Sequence, residues 1–217
     1  MNLEKARFNM VEQQIRPWEV LDADVQELLY AVKREEFVPT GLCALAFADV
    51  DIPVGHGATL PSPKMAARAL QVLKVRKSDR VLEIGSGSGY MAALLAAHSE
   101  RVWSVEIVPE LAKLARDNLA RQHITNVTVE LGNGSRGWPD HAPYNVIMVS
   151  GSLPFLPKEL LAQLKLGGRL FAVVGEAPAM TAQLVTRLGE DSYDTDGLFE
   201  TELTPLLEAP QSEHFVF

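Results

Sequence analysis

Residues 81–90 read Val81-Leu82-Glu83-Ile84-Gly85-Ser86-Gly87-Ser88-Gly89-Tyr90, an apolar run carrying one acid and then three glycines at alternate positions. Glycines spaced this way let a backbone turn tightly and approach a ligand, and in doubly wound proteins such loops lie at the carboxyl edge of the sheet. By itself the loop would serve a dinucleotide almost as well. Two details separate the ligands. A dinucleotide fingerprint wants glycine or alanine where Tyr90 stands, and the carboxylate of Glu83, just before the loop, would repel a pyrophosphate. The same carboxylate attracts the cationic methionine part of S-adenosylmethionine, directly or through water, so the residues favour that methyl donor over NAD.

Glu106 closes the next apolar run, Val102-Trp103-Ser104-Val105-Glu106, and places two acceptor oxygens where a ribose diol would lie. Further on, the Asn133 side chain could bond an adenine amine or ring nitrogen; an ordinary Asn-Gly turn explains Gly132-Asn133-Gly134 equally well. Either acid alone reads equally well as a solvated strand-end charge. Taken with the glycines, they make a cofactor constellation of Glu83, Gly85, Ser86, Gly87, Gly89, Glu106, Asn133 and Gly134. His56 sits between two glycines and suggests a general base, but packing or a place beside the cofactor suits it better. The histidines lack metal-ligand spacing and Cys43 is the only cysteine, so no metal site is expected. Arg7, Arg16 and Lys64 are by default solvated surface cations.

The elements that must position these groups follow from periodicity. Apolar residues recur at helical spacing through residues 2–32, broken at Arg16-Pro17, which predicts two short helices. Residues 37–63 are crowded with proline and glycine and have no sustained period, so a long functional loop is expected there. Strands are predicted at 80–84, 101–106, 127–130, 144–149 and 168–174, alternating with helices at 64–73, 90–97, 109–122 and 157–164. Two terminal strands follow at 182–188 and 198–207, at least one suited to antiparallel pairing. The expected fold is therefore a doubly wound, mostly parallel seven-stranded α/β sheet with helices on both faces and an N-terminal helical extension. All of residues 1–217 form one expected domain, with helices and a loop in 1–63 and the cofactor-binding core in 64–217.

With 28 acidic and 20 basic residues the chain carries a formal charge of −8, which disfavours nucleic acid and anionic membrane surfaces as partners. The single cysteine suits a reducing compartment. Residues 1–16 lack the apolar core of a secretory signal, and no run approaches the roughly 18 apolar residues of a membrane span. A cytoplasmic protein, monomeric for want of a long exposed apolar run, is expected.

Across nearly its whole length the chain resembles the protein-L-isoaspartate O-methyltransferases. The likeness is carried by Met10-Val11-Glu12-Gln13-Gln14-Ile15, Arg34-Glu35-Glu36-Phe37-Val38-Pro39, Ile52-Pro53-Val54-Gly55-His56-Gly57, the glycine loop, Gly132-Asn133-Gly134, Gly137-Trp138-Pro139 and Leu164-Lys165-Leu166-Gly167-Gly168-Arg169-Leu170. The resemblance implies a Rossmann-like methyltransferase that moves a methyl group from S-adenosylmethionine to the free carboxylate of an isoaspartyl residue in damaged proteins or peptides, beginning their repair. A carboxylate is already nucleophilic, so such an enzyme needs no base, only alignment and exclusion of water.

The chain departs from the family at several places. Its substrate loop reads Thr59-Leu60-Pro61-Ser62-Pro63, with proline where the family has a serine, which leaves Thr59 and Ser62 as the hydroxyl candidates for catalysis, Ser62 through a one-residue shift. Asn133 stands where the family usually has Asp. Ser150-Gly151-Ser152-Leu153-Pro154 replaces a Thr-Ala-Ala-x-Pro stretch, and Thr204-Pro205-Leu206-Leu207 ends without the family's cofactor-reaching threonine. Two other functions stay open on these grounds: methylation of a different acceptor, and a non-catalytic donor-binding protein.

Overall fold

The computed structural model describes residues 2–211. The N-terminal segment is helical, as its period predicts. Asn2 caps α1 (Leu3–Met10), which loosens into a π turn at Val11–Ile15 and a 3-10 turn at Arg16–Trp18 before Asp22 caps α2 (Ala23–Ala31). Proline removes an amide donor and crowds the preceding turn, so the helical geometry changes around Pro17.

The expected long loop is built rather than irregular. It holds 3-10 turns at Arg34–Phe37 and Thr40–Leu45, then a hairpin of β1 (Ile52–Gly55) and β2 (Ala58–Leu60). Strands of three and four residues are too short to show a period in sequence.

From α3 (Pro63–Leu73) the chain alternates: β3 (Arg80–Ile84), α4 (Tyr90–Ala97), β4 (Arg101–Glu106), α5 (Pro109–Arg121), β5 (Val127–Leu131), β6 (Tyr144–Leu153), α6 (Lys158–Leu161), β7 (Leu164–Glu176), β8 (Ala179–Arg187) and β9 (Tyr193–Glu200). The main sheet has seven strands in the order β5-β4-β3-β6-β7-β8-β9. Its first five are parallel; β8 pairs antiparallel with β7, and β9 antiparallel with β8. After β5 the chain returns to lay β6 beside β3, and this reversal leaves a crevice at the carboxyl ends of β3, β4 and β6, where open α/β sheets bind ligands.

Alternation along the strands divides the core. Val81, Val102, Val146 and Phe171 pack with Leu70 and Leu73 of α3, Leu94 of α4 and Leu119 of α5. Leu82, Ile84, Val105 and Ile147 face the other side, with Leu160 of α6. Helices therefore cover one face well and the other thinly, because the predicted helix at 157–164 shrinks to four residues: Leu164 already pairs with Tyr144 as the first residue of β7.

The predicted last strand also moves. The strand ends at Glu200, while residues 203–207 leave the sheet and cross the end of β6. Pro205 cannot donate to a ladder, so the crossing is held on either side of it, by Ser152 N donating to the Thr204 carbonyl (3.0 Å) and Leu206 N to the Ser152 carbonyl (3.0 Å).

Arg7 is not a solvated cation: it is buried in an ion pair with Glu35, its guanidinium 5.7 Å from the Phe47 ring centroid. Arg16 pairs with Glu12, and Lys64 with Asp49.

Gly89, expected at the cofactor, packs closely against α5 and is not among the residues lining the crevice. Its φ is +85°, and a Cβ there would lie 3.2 Å from both Cα and O of Ala115 in α5. Gly89→Ala is expected to cost about 1–3 kcal/mol, seen as a lower urea midpoint, through backbone strain and that contact. Donor affinity of the folded protein should change by less than about threefold. A midpoint equal to the unmodified protein's would refute the packing role.

Candidate functional site

The crevice has two connected lobes that share Thr59, Gly85, Gly87 and Ser150. The outer lobe runs between Glu106, Leu111, Asn133 and the strap of Thr204 to Leu207. The inner lobe is lined by Glu83, Ser86, Ser88, Tyr90, Pro61 and Met148, among others.

The glycine loop is fixed by its neighbours rather than by its own residues. Gly85 N donates to the Val105 carbonyl at 2.8 Å, tying the end of β3 to β4. Gly87 N donates to Glu106 Oε2 (2.9 Å), and Val108 N to the same residue's Oε1 (3.1 Å). Each carboxylate oxygen can accept a second hydrogen bond, so Glu106 both clamps the loops after β3 and β4 and remains able to receive a diol. Gly87 has φ +51°, and nothing lies within 4 Å of where its Cβ would be, so the backbone is bare toward the crevice.

Glu83 is 0% exposed. Burial pushes its carboxyl up to about 8, against hydrogen bonds that favour the charged form, from Ser104 Oγ and from Ser150 Oγ at 3.2 Å. Ser86 Oγ lies 2.6 Å from Ser104 Oγ, so three serine hydroxyls lead to one buried acid. A buried carboxyl beside an apolar sheet is costly unless a cation meets it, which fits a cationic donor in the adjoining crevice.

Asn133 lines the outer lobe, but its side chain also makes a turn: Oδ1 accepts from Ser135 N (2.9 Å) and Nδ2 donates to Glu208 Oε2 (3.3 Å). Gly134 lies close against Ile84 and Val105, where a Cβ would approach their side chains at 3.1 and 3.3 Å. His56 forms the β1–β2 turn at φ +52° and lines the outer lobe. Tyr90, which breaks the dinucleotide pattern, is buried with its ring centroid 5.5 Å from that of Phe37 and the Arg34 guanidinium 5.3 Å away, so it anchors the N-terminal segment.

Of the two hydroxyl candidates, Thr59 lines both lobes and Ser62 neither. Ser62 is buried before α3, its amide donating to Asp51 Oδ1 at 2.7 Å, so the one-residue shift does not occur. Arg34 Nη2 donates to the Pro61 carbonyl at 2.7 Å and holds the loop in this register.

Several crevice residues escaped the sequence. Leu207 lacks a hydroxyl, as expected, yet Thr204 three residues earlier supplies one: its Oγ1 lies 3.1 Å from Thr59 Oγ1. No local pattern announces a strap that must cross the sheet to reach the site. Ser104 was more legible, two residues before Glu106 on an alternating strand and so on the same side.

A doubly wound sheet with a bare glycine turn, a clamped carboxylate and a buried acid at its switch point is the make-up of an S-adenosylmethionine-dependent methyltransferase. The model of the family described as protein-L-isoaspartate(D-aspartate) O-methyltransferase matches residues 5–210. The protein-L-isoaspartate O-methyltransferase of Myxococcus xanthus is 40% identical over 198 residues, 89% of this chain and 93% of that protein. Protein-L-isoaspartate O-methyltransferase 2 of Pelobacter propionicus is 40% identical over 209 residues, 96% of this chain and 93% of that one. The fold is shared with a Plasmodium falciparum structure described as a protein-L-isoaspartate O-methyltransferase in complex with S-adenosyl-L-homocysteine, at TM-score 0.79 and 21% identity over 95% of this chain and 98% of that one. The chain belongs to the protein-L-isoaspartate(D-aspartate) O-methyltransferase family.

Two outcomes test the site. Gly87→Val should weaken donor binding at least about 100-fold by filling the bare face; retained affinity in calorimetry would remove the loop from the site. An acid raised to about 8 carries an extra proton in the folded state, so the free protein loses stability as pH rises from 4.5 to about 8. Glu83→Gln should therefore melt higher than the unmodified protein at about pH 9, yet bind the cationic donor about tenfold more weakly. A lower melting temperature would contradict the buried, unpaired acid.

Proposed function

We propose that this chain methylates the free carboxylate of isoaspartyl residues in damaged proteins or peptides, using S-adenosylmethionine. The observation that carries the acceptor class is the crevice lining. Its ionisable side chains among the described residues are His56, Glu83, Glu106 and Tyr90; both acids are held in hydrogen bonds, and His56 lies in the β1–β2 turn and lines only the outer lobe. An alcohol or amine acceptor has to lose a proton, for which a positioned base is the usual device; a carboxylate arrives ready to react.

When bound, the donor supplies a methyl group on a positively charged sulfur; a carboxylate oxygen forms the new bond to carbon as the sulfur keeps the old bonding pair, so carboxylate and sulfonium become ester and neutral thioether. The chain contributes position and dryness. The site residues in this reading are Gly85, Ser86 and Gly87 for the backbone approach, Glu83 for the donor's positive charge, Glu106 for the ribose diol, Asn133 and Gly134 at the adenine end, and Thr59 beside the acceptor. The net charge of −8 favours peptide over nucleic-acid acceptors. The same reading makes the chain a single-domain, cytoplasmic monomer.

Pro61 favours a second reading, a family member with another acceptor, because it lines the inner lobe without a hydroxyl. Paired peptides differing only in isoaspartate or aspartate at one position separate the two. Labelled methyl transfer to the isoaspartyl peptide alone is expected. No transfer, with S-adenosylmethionine binding intact by calorimetry, would overturn the isoaspartyl reading in favour of another acceptor or a non-catalytic role.

A further inference from the structure

The crevice hydroxyls are not equivalent. Those of Ser86, Ser104 and Ser150 lead to Glu83, and that of Ser135 donates to the Glu208 carbonyl. Ser88 and Tyr90 carry hydroxyls without a protein partner, but they are only 3% and 1% exposed, deep in the inner lobe. Thr59 and Thr204 are half-buried at the outer lobe, and each hydroxyl has the other as its partner, at 3.1 Å. Two hydroxyls bring two protons, and one hydrogen bond between them uses one. The second proton is left to donate into the crevice.

The backbones carrying the pair are independently fixed. Thr59 lies opposite Pro53 in the hairpin. Thr204 is held by Ser152, whose amide donates to its carbonyl and whose hydroxyl donates to the Leu203 carbonyl at 2.9 Å. A donor held between two fixed segments is preorganised for an incoming acceptor.

Resting on the isoaspartyl carboxylate as acceptor, we propose that Thr204, paired with Thr59, is a substrate contact that orients this carboxylate. One carboxylate oxygen accepts the free hydroxyl proton, leaving the other to attack the methyl carbon. Both donors are neutral, so no proton moves and the nucleophile keeps its charge, which a direct ion pair with lysine or arginine would blunt. Proline at position 61 is then no obstacle, because the hydroxyl comes from the strap instead of the loop.

The competing role for the pair is a latch that merely holds the strap. Pro205, Leu206 and Leu207 line the outer lobe with Glu106 and Asn133, so a lost latch would loosen that wall and weaken donor binding. The test uses the full chain, with isoaspartyl peptide kinetics and S-adenosyl-L-homocysteine calorimetry on Thr204→Val, Thr204→Ser and Thr59→Val. The expected result is a fall of about tenfold or more in kcat/KM for both valine variants, with S-adenosyl-L-homocysteine affinity within about twofold and recovery in Thr204→Ser. Unchanged kcat/KM in Thr204→Val, or a parallel loss of S-adenosyl-L-homocysteine affinity, overturns the proposal. If the unmodified chain transfers nothing to the isoaspartyl peptide, the acceptor assignment itself fails and this contact falls with it.

Discussion

The crevice depends on one carboxylate receiving two backbone amides. Glu106 accepts from Gly87, in the loop after β3, and from Val108, in the turn after β4. Hydrogen bonds to a charged acceptor are stronger than those between neutral groups. The clamp therefore sets the distance between two loops that share no covalent connection shorter than a helix and a strand. With the loops fixed, Gly87 stays bare toward the crevice, which Glu106 also lines.

Beneath that clamp lies a group the core would ordinarily reject. Glu83 sits on a strand whose neighbours Leu82 and Ile84 are fully buried apolar residues, and its upward shift to about 8 measures the cost of charging it there. Ser104 and Ser150 partly offset that cost from the flanking strands β4 and β6. The order β4-β3-β6 is what brings both serines to one acid, so the topology that opens the crevice also solvates its buried carboxyl.

The walls come from far along the chain. The hairpin supplies Thr59, the strap supplies Thr204, and the two meet across 145 positions of sequence. The N-terminal segment supports the first wall, since Arg34 holds the Pro61 carbonyl and lies over Tyr90, while the Arg7–Glu35 pair ties α1 to the same region. Breaking a buried ion pair by removing one partner leaves an uncompensated charge, so this extension is bound to the core chemically as well as by packing.

What the sequence determined by itself was local. Alternating apolar residues and the glycine loop located β3, α4 and β4 to the residue, and the acid at position 83 made a cationic donor the expected ligand, because strand period, turn chemistry and residue type are local properties of the chain. Tertiary structure decided whatever depends on residues distant in sequence. It packed Gly89 against Ala115, put Ser62 outside the crevice, buried Arg7 against Glu35, and turned residues 203–207 from a predicted strand into a strap. In each case the partner lies between 11 and 54 positions away. Periodicity does not reach across such separations; only the packed sheet brings those residues together.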